Sequence, residues 1–452
     1  MPRKASLPRA FRSRTAAVAE PSRSGRIAPG LLPNSTVSGF QAAAAGLRHS
    51  RGPFAWRPDL TPDNLITGFQ PMRTVYFDYN ATTPLDPGVR EAMLPFFSEI
   101  WGNPSSVHHV GRQARALLDE SRDRVASVFH CKPSEVIFTS GGTESVNLAL
   151  FGAARLLRNK GRHIITSSIE HHAVLHSCRY LSEHEGFEIT YLPVDKEGLV
   201  SPDFLEAAIR PDTILVSIMA ANNEVGTLQP VSELGGICRE KGVLFHTDAV
   251  QWFGKEPFAG IGELNADLVS FCAHKIHGPK GAGGLYIRSP LQPRPILFGG
   301  GHESERRAGT ENVAGIVGLA EAVDWFVQKP VFSRESLLPL TNRLIAVISE
   351  LDGVQLVGSI NQRLCNTVAF VVKGTDSIAL LAGLDMEGIC ASSGSACSAG
   401  SLEPSHVIRA LGFEESLANA LVRFSLGRES TVAEVTYVGE VLPSVITRAQ
   451  RA

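Results

Sequence analysis

From residue 74 onward, short runs of β-branched and aromatic residues alternate with longer stretches whose apolar positions recur at helical spacing. Residues 136–139, 163–166, 189–192, 214–217, 243–246 and 268–271 read as strands, and most are separated by helix-length segments. That rhythm predicts an α/β fold with a mainly parallel sheet, because parallel neighbours need a long crossover, usually a helix. Further on, residues 340–351, opening just after Pro339, read as an amphipathic helix, and residues 367–372 as a strand. Ligands of such sheets collect beyond the carboxyl ends of the strands. The residues that follow each run therefore form one list of candidates: Gly141 to Glu144, Glu170 and His171, Asn222 to Glu224, Asp248 to Gln251, and His274 with Lys275.

The 452 residues, 43% of them hydrophobic, suffice for more than one packed core, so two domains are expected. A net charge of −2 provides no global basic field, which argues against nucleic acid and anionic membrane as partners. No run of eighteen apolar residues reads as a transmembrane helix. Seven scattered cysteines, an odd number without paired spacing, suggest neither a disulfide framework nor a zinc site. A reducing compartment follows, with the cytoplasm as the expected location. Residues 1–73 differ in composition: basic residues from Arg3 to Arg57 face only Glu20, Asp59 and Asp63, among Ser, Pro and Ala. They are expected to form a disordered extension. A chain start misplaced ahead of Met72 is a second reading, and an organellar transit peptide, mitochondrial for example, a third.

Each candidate has a chemical and a bland reading. Gly141 to Glu144 follow a strand and open a helical stretch, so free backbone N–H groups and the Thr143 hydroxyl can meet a phosphate; a tight turn capped by threonine is the alternative. Asp248 ends an apolar strand, where an ionised carboxylate needs a cation such as a protonated pyridine nitrogen; it can equally cap a following helix. Lys275, after another apolar strand, is expected to be partly desolvated and able to form a Schiff base with an aldehyde cofactor; otherwise it merely snorkels. Cys397 lies among small residues from Ser392 to Ser401 that can hardly pack a core. It is therefore expected on a mobile loop, as a travelling thiol or as a plain linker cysteine. No Gly-x-Gly-x-x-Gly follows the first strand, which argues against a nicotinamide-binding enzyme.

Several motifs, in register from about residue 74 to about 440, resemble those of cysteine desulfurases in the class V aminotransferase family. They are Asp78-Tyr79-Asn80-Ala81-Thr82-Thr83-Pro84, residues 141–147, Glu170-His171, residues 222–226, residues 246–251, His274-Lys275 with residues 278–281, and Arg307-Ala308-Gly309-Thr310. Ser393-Gly394-Ser395-Ala396-Cys397, followed by residues 401–405, resembles group I, the NifS- and IscS-like type that feeds iron–sulfur cluster assembly. The resemblance implies fold type I of pyridoxal-phosphate (PLP) transferases, with a seven-stranded sheet. A large PLP-binding domain would span residues 88–325 and a smaller C-terminal domain residues 326–452, with residues 74–87 packed on the latter.

The resemblance also implies the site. Lys275 would hold PLP, Asp248 would pair with its ring nitrogen and His171 would stack on the ring. Asn223 and Gln251 would contact ring substituents; Gly142, Thr143 and His274 would hold the phosphate, and Thr310 the phosphate of a neighbouring subunit in a homodimer. Cys272 stands where the family has a serine, and a thiol is a weaker donor, which weakens one phosphate contact. Arg423, with Asn223, would bind the carboxylate of cysteine, while Arg428 is read as a surface residue. Cys397, Lys275 and His171 would be catalytic: Cys397 takes sulfur as a persulfide for an acceptor protein, with alanine as co-product, and makes a transient iron–sulfur contact. Selenocysteine lyase or a related C–S lyase is the alternative on this scaffold, and a non-catalytic sulfur-transfer adaptor the alternative of another class.

Overall fold

The computed structural model describes residues 74–394 and 404–451. After β1 (Val75–Tyr76) come β2 (Val136–Thr139), β3 (His163–Ser167), β4 (Glu188–Leu192), β5 (Thr213–Ser217), β6 (Leu244–Asp248), β7 (Leu268–Cys272) and β8 (Gly283–Ile287). Strands β2 to β8 form one seven-stranded sheet in the order β2-β8-β7-β6-β5-β3-β4. Its β4-β3-β5-β6-β7 part is parallel, and β8 runs antiparallel to both of its neighbours. Every residue of β2, β3, β5 and β7 is buried, as parallel strands covered on both faces require.

The polar side chains of the sheet interior satisfy one another. The buried His246 ring lies between Ser217 Oγ at 2.8 Å and Ser270 Oγ at 3.0 Å. Ser145 Oγ, on the helix Gly142–Leu157, is 2.8 Å from Ser270 Oγ and donates to the Gly284 carbonyl at 2.7 Å. Burial pushes the His246 imidazole down to about 3, so this row crosses the sheet without a charge.

A second sheet comprises β9 (Val354–Val357) and β10 (Thr367–Val372). After β11 (Ile389–Cys390), which pairs in parallel with β1, comes its third strand, β12 (Leu421–Ser425). The order β12-β10-β9 is antiparallel throughout. Its core joins Phe77 and Tyr79 to Leu344, Phe370, Phe424 and Val438, so the segment after β1 belongs to this core although it lies far away in sequence.

Two details differ from the sequence reading. β8 escaped it because the strand opens with two glycines, which carry no β signal. Both are required by packing: a Cβ on Gly283 would lie 2.6 Å from Gly141 Cα, and one on Gly284 2.3 Å from the Phe271 ring. The helix expected from residue 340 begins at Arg334 and contains Pro339 within it. Buried Leu337, Leu340, Leu344 and Ile348 share one face, so the apolar stripe starts ahead of the proline. The six described cysteines are free. Among the described residues no helix is long and apolar enough to cross a membrane.

Candidate active site

Strand ends of the first sheet, the turn after β1 and strand β12 meet at a cavity of about 170 Å³. It is lined by Gly142, Thr143, His171, Asn223, Asp248, Gln251, Cys272, His274, Lys275 and Arg423, together with Asn80 and Ala81. Of the predicted site residues, Thr310 lies elsewhere, exposed beside a second cavity of about 240 Å³ with Thr139, Ser140 and Gly281. Cys397 lies outside the described residues. A larger cavity, about 530 Å³ and lined by Arg115, Arg122, His302 and Glu303 among others, holds none of the predicted residues.

Lys275 sits three residues beyond β7, half-buried, and its Nζ donates to the carbonyls of Asn80 and, at 2.8 Å, of Ala81. Asp248 is the last residue of β6 and 7% exposed. Its Oδ1 accepts from Val250 N at 3.0 Å, in a turn rather than at the start of a helix. Burial pushes its carboxyl up to about 6, against a smaller opposing pull from Lys275. A buried acid that ionises with difficulty is what a cationic ring nitrogen would relieve.

His171 is the N-cap of the helix His172–Glu185, where Nδ1 accepts from Ala173 N at 3.1 Å. That bond selects the tautomer with its hydrogen on Nε2. Burial, then the charge of Lys275, pushes the ring down to about 4, so it is neutral near pH 7. His274 is likewise pushed down to about 4 and lies 3.2 Å from Thr82 Oγ1.

Gly141 is the N-cap of the helix Gly142–Leu157, with Thr143 in its first turn. The alternative reading, a turn capped by threonine, is thus not what forms, and the first backbone N–H groups are available to an anion. A Cβ on Gly142 would lie 2.8 Å from Val250 Cγ2, which keeps the helix start close against the turn after β6. Buried Cys272 lines the same cavity, and burial raises its thiol to about 11, so it remains a weak neutral donor.

Arg423, on β12, is 1% exposed. Its Nη2 pairs with Asp78 Oδ1 at 2.7 Å, and its Nη1 donates to the carbonyls of Asn223 at 2.7 Å and Gly394 at 2.8 Å. Nε is buried without a partner. Asp78 and Asn80 belong to a motif the sequence reading quoted without giving either a role. Arg428 is exposed, as expected, and there it pairs with Asp86 at 2.7 Å and covers the Phe326 ring. Among the described residues no cluster of three or more His, Cys, Asp or Glu is arranged to hold a metal.

An amine, a buried acid, a neutral imidazole and an open helix N-terminus thus face one small cavity, and this donor set fits a phosphorylated pyridine aldehyde. The chain belongs to the aminotransferase class-V family, whose profile matches residues 75–438. Within that class it falls among the cysteine desulfurases, and PLP is its cofactor. It is 48% identical over 377 residues to "Cysteine desulfurase IscS" of Dictyoglomus turgidum, spanning 83% of this chain and 95% of that protein. A solved structure described as "NIFS-LIKE PROTEIN" superposes with a TM-score of 0.77 at 39% identity, covering 83% of this chain and all of the other. Another, "SspA in complex with cysteine", gives 0.70 at 36% identity, covering 79% of this chain and all of the other.

Proposed function

We propose that this chain takes sulfur from free cysteine onto Cys397 as a persulfide, releases alanine, and passes the sulfur to an acceptor protein such as an iron–sulfur scaffold. The observation that carries the reading is the convergence of Lys275, Asp248, His171 and Arg423 on one cavity, beside both anchors of the segment that contains Cys397. One anchor is the Gly394 carbonyl, bonded to Arg423; the other is Ser405, whose Oγ donates to Glu224 Oε2 at 2.6 Å. Cys397 is three residues along the chain from Gly394, a reach of up to about 11 Å.

Bound PLP supplies an electron sink that weakens the Cα–H and Cβ–S bonds of the amino acid. Around it, Lys275 tethers the cofactor and then moves the α-proton, while Asp248 holds the ring nitrogen protonated. His171 covers the ring face, Asn223 and Gln251 contact its substituents, and Gly142, Thr143, Cys272 and His274 receive the phosphate. Arg423 turns its guanidinium to the substrate carboxylate, which would partner the orphaned Nε. The Cys397 thiolate attacks the substrate sulfur: the S–S bond forms, the Cβ–S bond breaks, and the carbon skeleton takes up protons to leave as alanine. Thr310 acts on the partner subunit's phosphate in a homodimer, a reading supported by its place outside its own chain's cavity. Cytoplasmic reducing conditions suit a free thiol at 397.

The test is incubation of purified protein with cysteine, measuring sulfide and alanine, beside Cys397→Ala. The variant is expected to keep the visible band of bound cofactor and lose at least about 100-fold in turnover. Undiminished sulfide release would overturn the role of Cys397.

A further inference from the structure

Among the described residues Lys255 is the one lysine that is fully buried, at 0% exposure, and the sequence offers no reason for it to be there. Its Nζ donates to Asn80 Oδ1 at 2.6 Å and to Gln251 Oε1 at 2.5 Å, and lies 5.1 Å from the centre of the Phe332 ring. No acidic side chain forms an ion pair with it among the described residues, and the charges that act on it most, Lys275 and Arg423, are cationic. Burial and those neighbours hold its amine well below the usual lysine range. Two side-chain acceptors face the amine, so it is hydrogen-bonded although no anion lies against it.

Both acceptors line the cofactor cavity. Gln251 Nε2 donates to the Asn80 carbonyl at 2.9 Å, the same carbonyl that receives Lys275. Turning the Gln251 amide over would set its NH2 against the Lys255 donor and its oxygen against the Asn80 oxygen. Asn80 is fixed further by Asn366, whose Nδ2 donates to Oδ1 at 3.1 Å, and by Thr367 Oγ1, which accepts from Nδ2 at 2.9 Å.

We infer that Lys255 is a positioning residue of the cofactor site: by donating to Gln251 Oε1 and Asn80 Oδ1 it makes Gln251 meet the bound cofactor with N–H rather than carbonyl. This rests on the reading that Gln251 contacts the cofactor ring substituents. A lysine that merely filled the core would behave differently, since an apolar chain of similar length could replace it at little cost.

The experiment is a double-mutant cycle of Lys255→Met and Gln251→Ala in the full chain, with two readouts. In protein stripped of cofactor, thermal unfolding reports whether the two residues are coupled. In protein titrated with PLP, affinity and the pH midpoint of the visible band report on the cofactor site. Lys255→Met is expected to weaken PLP binding about tenfold and to move the midpoint, with both effects largely absent in the Gln251→Ala background. Should the Met variant fail to fold, Lys255→Gln, whose shorter side chain still ends in an NH2 donor, is expected to show the same coupling at smaller size. Unchanged binding and midpoint, or effects that simply add, would overturn the assignment. An absent visible band in the unaltered protein would instead overturn the cofactor reading, leaving the coupling in stripped protein to judge Lys255.

Discussion

Glu170 stands immediately before His171 and is 1% exposed. Its Oε1 accepts from Ser167 Oγ at 2.5 Å and from Met219 N at 2.9 Å, while Oε2 is buried without a partner. Burial raises its carboxyl from 4.5 to about 8, against the pull of those two bonds, with Asp248 adding to the rise. The folded chain therefore binds a proton here that the unfolded chain releases. Stability from this group is full below about pH 4.5, drains away as pH rises towards 8 and is gone above it. Glu170→Gln should therefore gain thermal stability relative to the parent across pH 5 to 8 and hold a constant lead above that. Parallel melting curves over this range would show that Glu170 does not titrate in this window.

The same scale shows which site residues the sequence discloses. Lys275, Asp248 and His171 are legible because each falls at or just beyond the carboxyl end of a strand, where the ligands of such a sheet collect. Lys255 gives no such sign: it follows a turn, and only the fold reveals that Phe332 covers it. Asn80 and Asp78 stand in a quoted motif, yet their partners Lys255 and Arg423 lie far along the chain, beyond any local pattern.

At the level of elements, periodicity finds the inner parallel strands because burial on both faces makes them continuous apolar runs, and finds the edge strand β4 by its β-branched and aromatic residues. It misses β8, whose glycines answer to Gly141 and Phe271 rather than to strand propensity. It also misplaces the helix Arg334–Ser349, where the rule that proline opens helices outweighed the earlier leucine stripe. Pro339 is the sixth residue of that helix and exposed, and without an N–H it leaves the Glu335 carbonyl without its helical donor. Pro339→Ala should therefore raise stability by about 1–2 kcal/mol, the restored bond and relieved clash exceeding the lost stiffness of the unfolded chain. Chemical denaturation would register this as a higher midpoint with unchanged slope. A lower midpoint would mean that the proline bend is needed for the stripe to reach its core.

At the scale of the molecule, the two sheets meet at the cavity, joined by a buried cluster that includes Ile169, Met219, Val371 and Leu421 and strapped by residues 75–86. Val75 N and Phe77 N donate to the carbonyls of Gly388 and Cys390, and Tyr79 N to that of Ser425, all three acceptors in the second core region. Asn80 and Ala81 then receive Lys275, Thr83 Oγ1 donates to the His274 carbonyl, and Asp86 N to that of His277, all from the loop after β7. A cofactor held by Lys275 therefore sits where this strap changes cores, so its binding energy should be felt by both. PLP at a hundred times its Kd should stabilise the chain by about 2.7 kcal/mol. Calorimetry of loaded and stripped protein should show one transition that moves as a whole. Two separate transitions, with PLP shifting only the seven-stranded part, would mean that the strap yields before either core and does not couple them.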